Sequence, residues 1–341
     1  MTPNAAPPLH PPFPLSAHER EDDPDRAPDG AAIAAAAARI APWVRRTPLL
    51  TAHWGEYPIE LKLECLQVSG SFKARGAFAR LIRARERALA LGQPLPDRVV
   101  AASGGNHGIA VALAARTLGW TAEIFVPRTA PEAKQARLRA LGARVHAVGE
   151  EYAQALEASR AFIAQTGALS SHAYDQYDTL AGQGTLAREW LDQGQPAADL
   201  WLVAVGGGGL IGGIAAWLNE AARASERVPR LIAVESQGCP TLHAALQSGA
   251  PTDIQPSGLA ADALGARRIG TRMFSLRERI DGAILVPEAD IVAAQAWLWD
   301  QVRIVAEPGG ATALAAVLGG HVPLVAGQRV GVLVCGANME R

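Results

Sequence analysis

Short apolar runs alternate with longer alanine-rich or amphipathic runs through most of the chain, a pattern that predicts alternating strands and helices. Strands are predicted at 59–64, 99–102, 123–126, 144–148, 200–205, 231–234 and 329–334. Helices are predicted at 31–41, 74–91, 109–118, 131–141, 152–166 and 211–223. Alternation of this kind indicates parallel sheets with helices on both faces, so the sequence predicts an α/β protein.

The composition favours a globular enzyme of two domains. Hydrophobic residues make up 49% of the 341 residues, enough for a sizeable core. The 32 basic and 33 acidic residues leave no basic excess, so we expect no binding to nucleic acid or to a membrane. Cys65, Cys239 and Cys335 lack metal-ligand spacing, which favours a reducing, cytoplasmic location and no metal site.

Two stretches need separate interpretation. Residues 1–29 contain eight prolines and no apolar core of a signal peptide, so they are predicted to be a disordered tail. Residues 200–218 carry no charge and have the length of a membrane span. Six glycines divide this run into a strand, a loop and a helix, so we reject the span.

The segment Ser71-Phe72-Lys73 lies between a strand-like run and a predicted helix. Backbone N–H groups are unpaired at such a junction, so a ligand can approach there. The amine of Lys73 can form a Schiff base with a carbonyl compound. A lysine at such a position is more often a solvated surface residue, and the catalytic hypothesis therefore depends on three other segments.

Two glycine-containing loops follow predicted strands and precede predicted helices. Residues 103–108, SGGNHG, combine exposed amides with the donor and acceptor of Asn106; the alternative is an ordinary turn with Ser103 as the helix cap. Residues 206–209 are four glycines, whose unshielded amides at a helix start form a site for phosphate. Four consecutive glycines are costly in chain entropy, which argues against a purely structural role.

Cys335 follows the last predicted strand, in the sequence CGAN. Open α/β sheets place ligand contacts at the carboxyl ends of strands, so Cys335 is a candidate contact. The alternative is a buried, inert thiol, which is the commoner fate of a free cysteine. An amine, an amide-bearing loop, a phosphate cradle and a small polar group together match the requirements of pyridoxal 5′-phosphate.

In these segments the chain resembles the fold-type-II pyridoxal-phosphate enzymes, and within them the serine/threonine dehydratase and serine racemase group. Three further motifs stand in that family's order, at residues 130–134, 181–185 and 307–311. The resemblance runs from about Arg46 to Asn338. It implies a pyridoxal-phosphate-dependent lyase that converts L-threonine, L-serine or both to a 2-oxo acid and ammonia by β-elimination.

The resemblance also implies roles for individual residues. Lys73 would carry the cofactor and act as the catalytic base. Phe72 would lie beside the ring, Asn106 on its hydroxyl and Cys335 at its pyridine nitrogen. The phosphate would be bound by the backbone of Gly206, Gly207, Gly208, Gly209 and Leu210. The substrate carboxylate would be bound by the loop that contains Ser103, Gly104, Gly105, Asn106 and His107.

The implied fold consists of two open parallel-sheet domains with helices on both faces, similar to the β subunit of tryptophan synthase. Residues 98–175 would form a small mobile domain. Residues 30–97 and 176–341 would form the large cofactor-binding domain, with the cofactor between the two. Residues around 236–243 and 257–262 would shape the pocket for the substrate side chain, and we expect a homodimer.

Three departures from the family bear on function. Position 104 is glycine where serine racemases have a second catalytic serine, so racemisation is not expected. Glu235 is retained from their cation site, but Thr241 replaces the acid six residues later, so no metal is expected; alternatively, Glu235 is a strand-end acid facing solvent. No regulatory domain follows Asn338 in this sequence, so end-product control is not expected.

Rival functions are open at this point. The sequence Gly207-x-Gly209-x-x-Gly212 after a strand is a dinucleotide fingerprint, and Glu235 lies 23 residues beyond it, as in a nicotinamide-dependent oxidoreductase. That hypothesis gives no role to Lys73. Within the same fold, the alternatives are a hydroxyaspartate dehydratase and a synthase-type β-replacement enzyme.

Overall fold

The computed structural model describes residue 23 and residues 26–194, 197–224 and 226–339. Its strands are β1 (Leu49–Trp54), β2 (Tyr57–Lys62), β3 (Arg98–Ala102), β4 (Thr121–Val126), β5 (Arg144–Ala147), β6 (Leu169–Ser170), β7 (Leu200–Ala204), β8 (Arg230–Ser236), β9 (Gly282–Val286) and β10 (Val330–Leu333). Its helices are α1 (Gly30–Ile40), α2 (Lys73–Ala90), α3 (Asn106–Leu118), α4 (Glu132–Ala140), α5 (Tyr152–Thr166), α6 (Tyr177–Gln193), α7 (Gly209–Arg223), α8 (Thr241–Ser248), α9 (Ala261–Leu264), α10 (Thr271–Phe274), α11 (Glu288–Val302) and α12 (Pro308–Leu318).

Two sheets organise these elements. The larger sheet has the strand order β1-β2-β10-β7-β8-β9, and the smaller has the order β5-β4-β3-β6. All neighbouring strands are parallel except β1, which is antiparallel to β2. The predicted α/β class with parallel sheets is confirmed, and the antiparallel edge strand is an addition. Because the residues of β1 are exposed or half-buried, this run has no strong apolar pattern.

The centre of the larger sheet is rigidly packed. All five residues of β7 are buried, as expected for a parallel strand covered on both faces. The indole of Trp201 stacks on that of Trp190 from α6, with ring centroids 4.0 Å apart. The carboxyl ends of β7, β8 and β10 are therefore fixed relative to one another, and the loops that follow them start from defined positions.

A buried ion cluster fixes the first turn of α2 against the end of β2. Arg75 Nε donates to Glu64 Oε2 at 2.9 Å, and Arg75 Nη2 donates to Glu64 Oε1 at 2.7 Å. The same Nη2 lies 2.9 Å from Glu189 Oε2, and Lys62 Nζ lies 2.5 Å from Glu189 Oε1. A bidentate, desolvated guanidinium–carboxylate pair has little rotational freedom, so it fixes the backbone two residues after Lys73.

The helices that follow the two candidate loops begin earlier than the apolar pattern predicts. Helix α3 begins at Asn106 rather than at residue 109, and α7 begins at Gly209 rather than at residue 211. Polar and glycine residues at a helix start carry no apolar periodicity, so the pattern does not include them. As a result, each loop is itself a helix N-terminus.

Two stretches singled out in the sequence are placed as follows. The uncharged run 200–218 divides into β7, the glycine loop and most of α7, and no helix within the described ranges is long and apolar enough to cross a membrane. Residues 1–22, 24 and 25 of the predicted tail lie outside the described residues. Arg272 Nη1 donates to the carbonyl oxygens of Asp23 and Arg26, each at 2.6 Å.

Candidate active site

Lys73 is the first residue of α2 and lies beside the end of β10. Phe72 N donates to Cys335 O at 3.1 Å, and Ser71 forms an isolated antiparallel bridge with Gly336. These backbone contacts join the turn before Lys73 to the carboxyl end of the central strand. The structure therefore brings Lys73 and Cys335 together, although they lie 262 positions apart in the sequence.

The amine of Lys73 lies in a largely desolvated environment. Its Nζ donates to Ala173 O at 2.7 Å and lies 4.9 Å from the centroid of the Phe72 ring. Burial lowers the pKa of Lys73 to about 8, although the nearby Cys335 and Glu307 oppose the shift. Near neutral pH a larger fraction of this amine is therefore uncharged than of an ordinary lysine, and the uncharged amine is the nucleophilic form.

The glycine loop connects β7 to α7. Gly208 has φ +85°, a left-handed conformation that favours glycine. Across the described part of the chain, no residue accepts a hydrogen bond from the amides of residues 206–210. Four of these five residues are buried, and unpaired amides at a helix N-terminus form an anion site. The geometry suits a phosphate group.

Close packing also requires glycine in this loop. A Cβ at Gly207 would lie 2.3 Å from Tyr174 Cδ1, and a Cβ at Gly206 would lie 2.8 Å from the Leu264 backbone. A Cβ at Gly209 would lie 2.7 Å from the Tyr174 backbone. The four glycines therefore serve packing as well as amide exposure.

Residues 103–107 form the N-terminus of α3. The helix cap is Gly105 and has no side-chain cap bond, so the alternative that made Ser103 an ordinary helix cap is wrong. The amides of residues 104–107 have no acceptor among the described residues, and the loop is only half-buried, so an incoming carboxylate can reach them.

The side chain of His107 points away from that loop. It is 4% exposed, and its Nε2 lies 3.0 Å from Ser171 O, so Nε2 is the protonated nitrogen. Burial lowers the pKa of His107 to about 3, which keeps the ring neutral. Only the backbone of His107 is available to a ligand at the loop.

Asn106 is held between two polar side chains at the mouth of the site. Its Nδ2 donates to Glu307 Oε1 at 2.6 Å, and its Oδ1 accepts from Asn338 Nδ2 at 2.6 Å. One N–H of Asn106 has no acceptor among the described residues. Burial raises the pKa of Glu307 to about 7. The amide is thereby oriented, with one donor left for a ligand.

Cys335 is a buried, neutral thiol. Its Sγ donates to Gly309 O at 3.3 Å, and burial raises the pKa of the thiol. Ser71 Oγ is also buried and has no hydrogen-bond partner within the described ranges. A buried hydroxyl without a partner is costly, and such groups occur where a ligand completes the bonding.

The sequence assigns no role to three residues that contribute to this site. Ala173 and Tyr174 lie between Lys73 and the glycine loop, and only their fold-dependent position reveals them. Glu307 begins the motif at residues 307–311, and its carboxylate orients Asn106. The motif at residues 307–311, which begins with this acid, is the available signal for Glu307.

Glu235 has a structural role. It is fully buried, and it accepts hydrogen bonds from Leu242 N at 2.7 Å, His243 N at 2.9 Å and Thr241 Oγ1 at 3.0 Å. The interpretation as a solvent-facing acid is wrong, because this carboxylate caps α8. Thr241 Oγ1 also lies 2.5 Å from Gly206 O, so this hydroxyl contacts both the capping carboxylate of Glu235 and the glycine loop.

This capping role removes the support for the nucleotide hypothesis. That hypothesis needs a carboxylate that is free to bind a ribose, and the carboxylate of Glu235 is occupied by protein donors. For metals, no group of three or more His, Cys, Asp and Glu side chains in the described residues could hold an ion.

Comparison with known proteins gives consistent matches over most of the chain. A family model described as pyridoxal-phosphate dependent enzyme matches residues 40–336. The chain is 35% identical over 318 residues to a phenylserine dehydratase from Ralstonia pickettii, covering 92% of this chain and 94% of that protein. It is 35% identical over 283 residues to an L-threonine ammonia-lyase from Thermotoga maritima, covering 83% of this chain and 67% of that protein.

A solved structure extends the match to the fold. The structure of maize serine racemase is similar with a TM-score of 0.83 at 30% identity, covering 92% of this chain and 94% of that one. The matching fold confirms the expected fold-type-II architecture. The family-model range contains Lys73, both amide-bearing loops and Cys335.

Proposed function

The chain belongs to the pyridoxal-phosphate dependent enzyme family, and we propose that it acts as a dehydratase (ammonia-lyase) on L-threonine, L-serine or both. It is a pyridoxal-phosphate-dependent lyase with an amino-acid substrate. One observation carries the proposal: the desolvated amine of Lys73 lies near the neutral Cys335 thiol and bonds to Ala173, whose neighbour Tyr174 packs on a loop with five amides that lack acceptors among the described residues. The relatives named as dehydratase and ammonia-lyase support the reaction type.

The residues at the site fit this cofactor. The amides of residues 206–210 would bind its phosphate, and Lys73 would supply the amine for its aldehyde. The free N–H of Asn106 would bind the ring hydroxyl, Phe72 would pack beside the ring, and Cys335 would face the pyridine nitrogen. When bound, the cofactor withdraws electrons from the substrate's α-carbon and makes its α-proton acidic.

The protein's own groups would then direct the elimination. The amides of residues 104–107 bind the substrate carboxylate and orient the α-C–H bond toward Lys73 Nζ, which takes the α-proton. The electron pair of that bond forms the Cα–Cβ double bond as the β-C–O bond breaks. The leaving hydroxide takes up one proton, which balances the proton taken by Lys73, and departs as water. Hydrolysis then releases the 2-oxo acid and ammonia. A base whose pKa is near 8 suits this task, because it is partly neutral at neutral pH.

A product assay tests the proposed reaction. The protein with its cofactor should release ammonia and a 2-oxo acid from L-threonine or L-serine, measured with a coupled dehydrogenase. Phenylserine belongs in the same panel, because one relative is named a phenylserine dehydratase. The panel also includes 3-hydroxyaspartate, because a hydroxyaspartate dehydratase is an alternative within the fold. Product from 3-hydroxyaspartate alone would favour a hydroxyaspartate dehydratase over a threonine/serine dehydratase. Product that forms only when a second, nucleophilic substrate is added would favour a synthase-type β-replacement enzyme.

We predict little racemisation, because Gly104 offers no acid or base. A second proton-transfer group is needed on the face opposite Lys73, and such a group contributes about 10² to 10⁴ in rate. Chiral chromatography of unreacted serine should therefore find D-serine forming at least about 100-fold more slowly than 2-oxo acid. D-serine formation at a rate comparable to elimination contradicts the prediction.

Gly104→Ser provides the complementary test. The added Cβ would meet only Val126 Cγ1, at 3.3 Å, so a serine fits with a small shift of that side chain. We expect measurable D-serine formation in this variant with elimination retained. Gly104→Ala, which adds the same Cβ without a hydroxyl, is the control and should form no more D-serine than the wild type.

The proposed function also concerns domain motion, oligomeric state and cellular location. We propose that residues 98–175, which include the four-stranded sheet, move as a small domain relative to the rest. We also propose a homodimer, to be tested by light scattering across a concentration series. A cytoplasmic location is supported by the three cysteines, which are all free thiols.

A further inference from the structure

The segment 172–175 lies between the catalytic lysine and the glycine loop. Ala173 O accepts the hydrogen bond from Lys73 Nζ at 2.7 Å. The next residue, Tyr174, packs its ring on Gly207 so closely that a Cβ there would lie within 2.5 Å of three ring atoms. Its backbone approaches Gly209 in the same way, at 2.7 Å from a built Cβ. Two successive residues thus contact both halves of the cofactor site.

The position of this segment is fixed from both sides. Asp175 accepts hydrogen bonds from Thr271 N at 3.0 Å and Arg272 N at 3.2 Å. Gly270, which precedes Thr271, donates its backbone N–H to Gly207 O at 3.0 Å. The tyrosine segment and the glycine loop are therefore tied to the same turn, so the backbone that carries Tyr174 cannot move away from the loop without breaking these bonds.

The turn that presents Tyr174 is also held internally. His172 Nδ1 accepts from Tyr174 N at 3.3 Å and from Asp175 N at 2.9 Å. The imidazole contacts the phenol ring edge to face, with centroids 4.7 Å apart and planes at 77°. This arrangement presets the orientation of the phenol ring over the glycine loop.

The contribution of Tyr174 comes from its ring rather than from its hydroxyl. Burial raises the pKa of the phenol to about 12, so it stays neutral at physiological pH. The described residues provide no hydrogen-bond partner for the hydroxyl, whereas the ring atoms make the closest contact with the loop. A flat apolar surface packed on this loop limits the access of water to an anion bound there.

We propose that Tyr174 covers the glycine loop and slows release of the cofactor. The inference rests on the proposed function, because it requires that the amides of residues 206–210 bind the cofactor phosphate. Tyr174 is a positioning residue in this proposal and takes part in no proton transfer.

The test compares cofactor release from the holoenzymes of the wild type, Tyr174→Phe and Tyr174→Ala. Each protein is transferred to cofactor-free buffer, and pyridoxal phosphate is measured in successive ultrafiltrates by its visible absorbance. We expect release from Tyr174→Ala to be at least about tenfold faster, and release from Tyr174→Phe to stay within about twofold of the wild type.

Tyr57→Ala is the matched control, because it removes a half-buried tyrosine ring from the β1–β2 hairpin, away from the site. Its release rate should equal that of the wild type. If circular dichroism finds Tyr174→Ala unfolded, Tyr174→Leu replaces it, and release at the wild-type rate from a folded leucine variant overturns the proposal.

Two other outcomes are decisive. Wild-type retention in folded Tyr174→Ala, or loss from Tyr174→Phe as fast as from the alanine variant, overturns the role of the ring and leaves the proposed function intact. Failure of the wild type itself to take up pyridoxal phosphate overturns the proposed function and this inference together.

Discussion

Lys73→Ala is expected to lack the covalently attached cofactor and to lose at least about 10³ in kcat, because the proposed mechanism uses one amine as both attachment point and base. The chain has three lysines, so the alternatives are few. Lys62 is fully buried, with Nζ bonded to Thr47 O and Gln193 Oε1 and paired with Glu189. The third, Lys134, pairs with Asp262 at the surface. Of the three lysines, Lys73 alone lies in the proposed cofactor site, two residues from the Ser71 hydroxyl, which has no partner among the described residues.

Borohydride reduction provides the measurement. Reduced wild-type protein should carry the cofactor mass on the peptide that contains Lys73, identified by mass spectrometry. Lys134→Ala is the control and should keep the visible absorbance band and the label. A label on another lysine, or turnover by Lys73→Ala within about tenfold of the wild type, contradicts the assignment.

The positions of the ligand loops could be predicted because their signatures are local. Four glycines between an apolar strand and an apolar helix place a loop at a helix N-terminus, and the structure has that arrangement at Gly206–Gly209. The segment around Asn106 follows the same strand–loop–helix pattern. In both cases the helix begins inside the motif, because the polar and glycine residues of its first turn carry no apolar periodicity.

Contacts between distant segments could not be predicted in this way. Glu307 orients Asn106 across 201 positions of sequence, and Tyr174 meets Gly207 through the packing of two separate loops. The role of Glu235 was also hidden, because its partners at α8 are mostly backbone amides that every residue possesses. A motif identifies a residue type at a position, whereas the folded chain decides which groups it meets.

Gly207→Asp is expected to raise the Kd for pyridoxal phosphate by at least about 100-fold while the fold survives. Two effects add. The new Cβ would lie 2.3 Å from the Tyr174 ring, which must move, and the new carboxylate would repel the cofactor phosphate. Gly207 is preferred to Gly208 for this test, because only Gly208 has a positive φ, where any side chain strains the backbone.

A series at position 207 separates the two effects. Gly207→Ala adds the steric clash alone, and Gly207→Asn is nearly isosteric with the aspartate but uncharged, so the expected order of Kd is wild type, then alanine, then asparagine, then aspartate. Titration of the cofactor-free proteins by tryptophan fluorescence gives each Kd, and their thermal unfolding reports the fold. Equal Kd values for asparagine and aspartate would remove the electrostatic argument. Tight binding of a reduced nicotinamide dinucleotide by the wild type, without uptake of pyridoxal phosphate, would mean that the loop binds a different phosphate-bearing ligand.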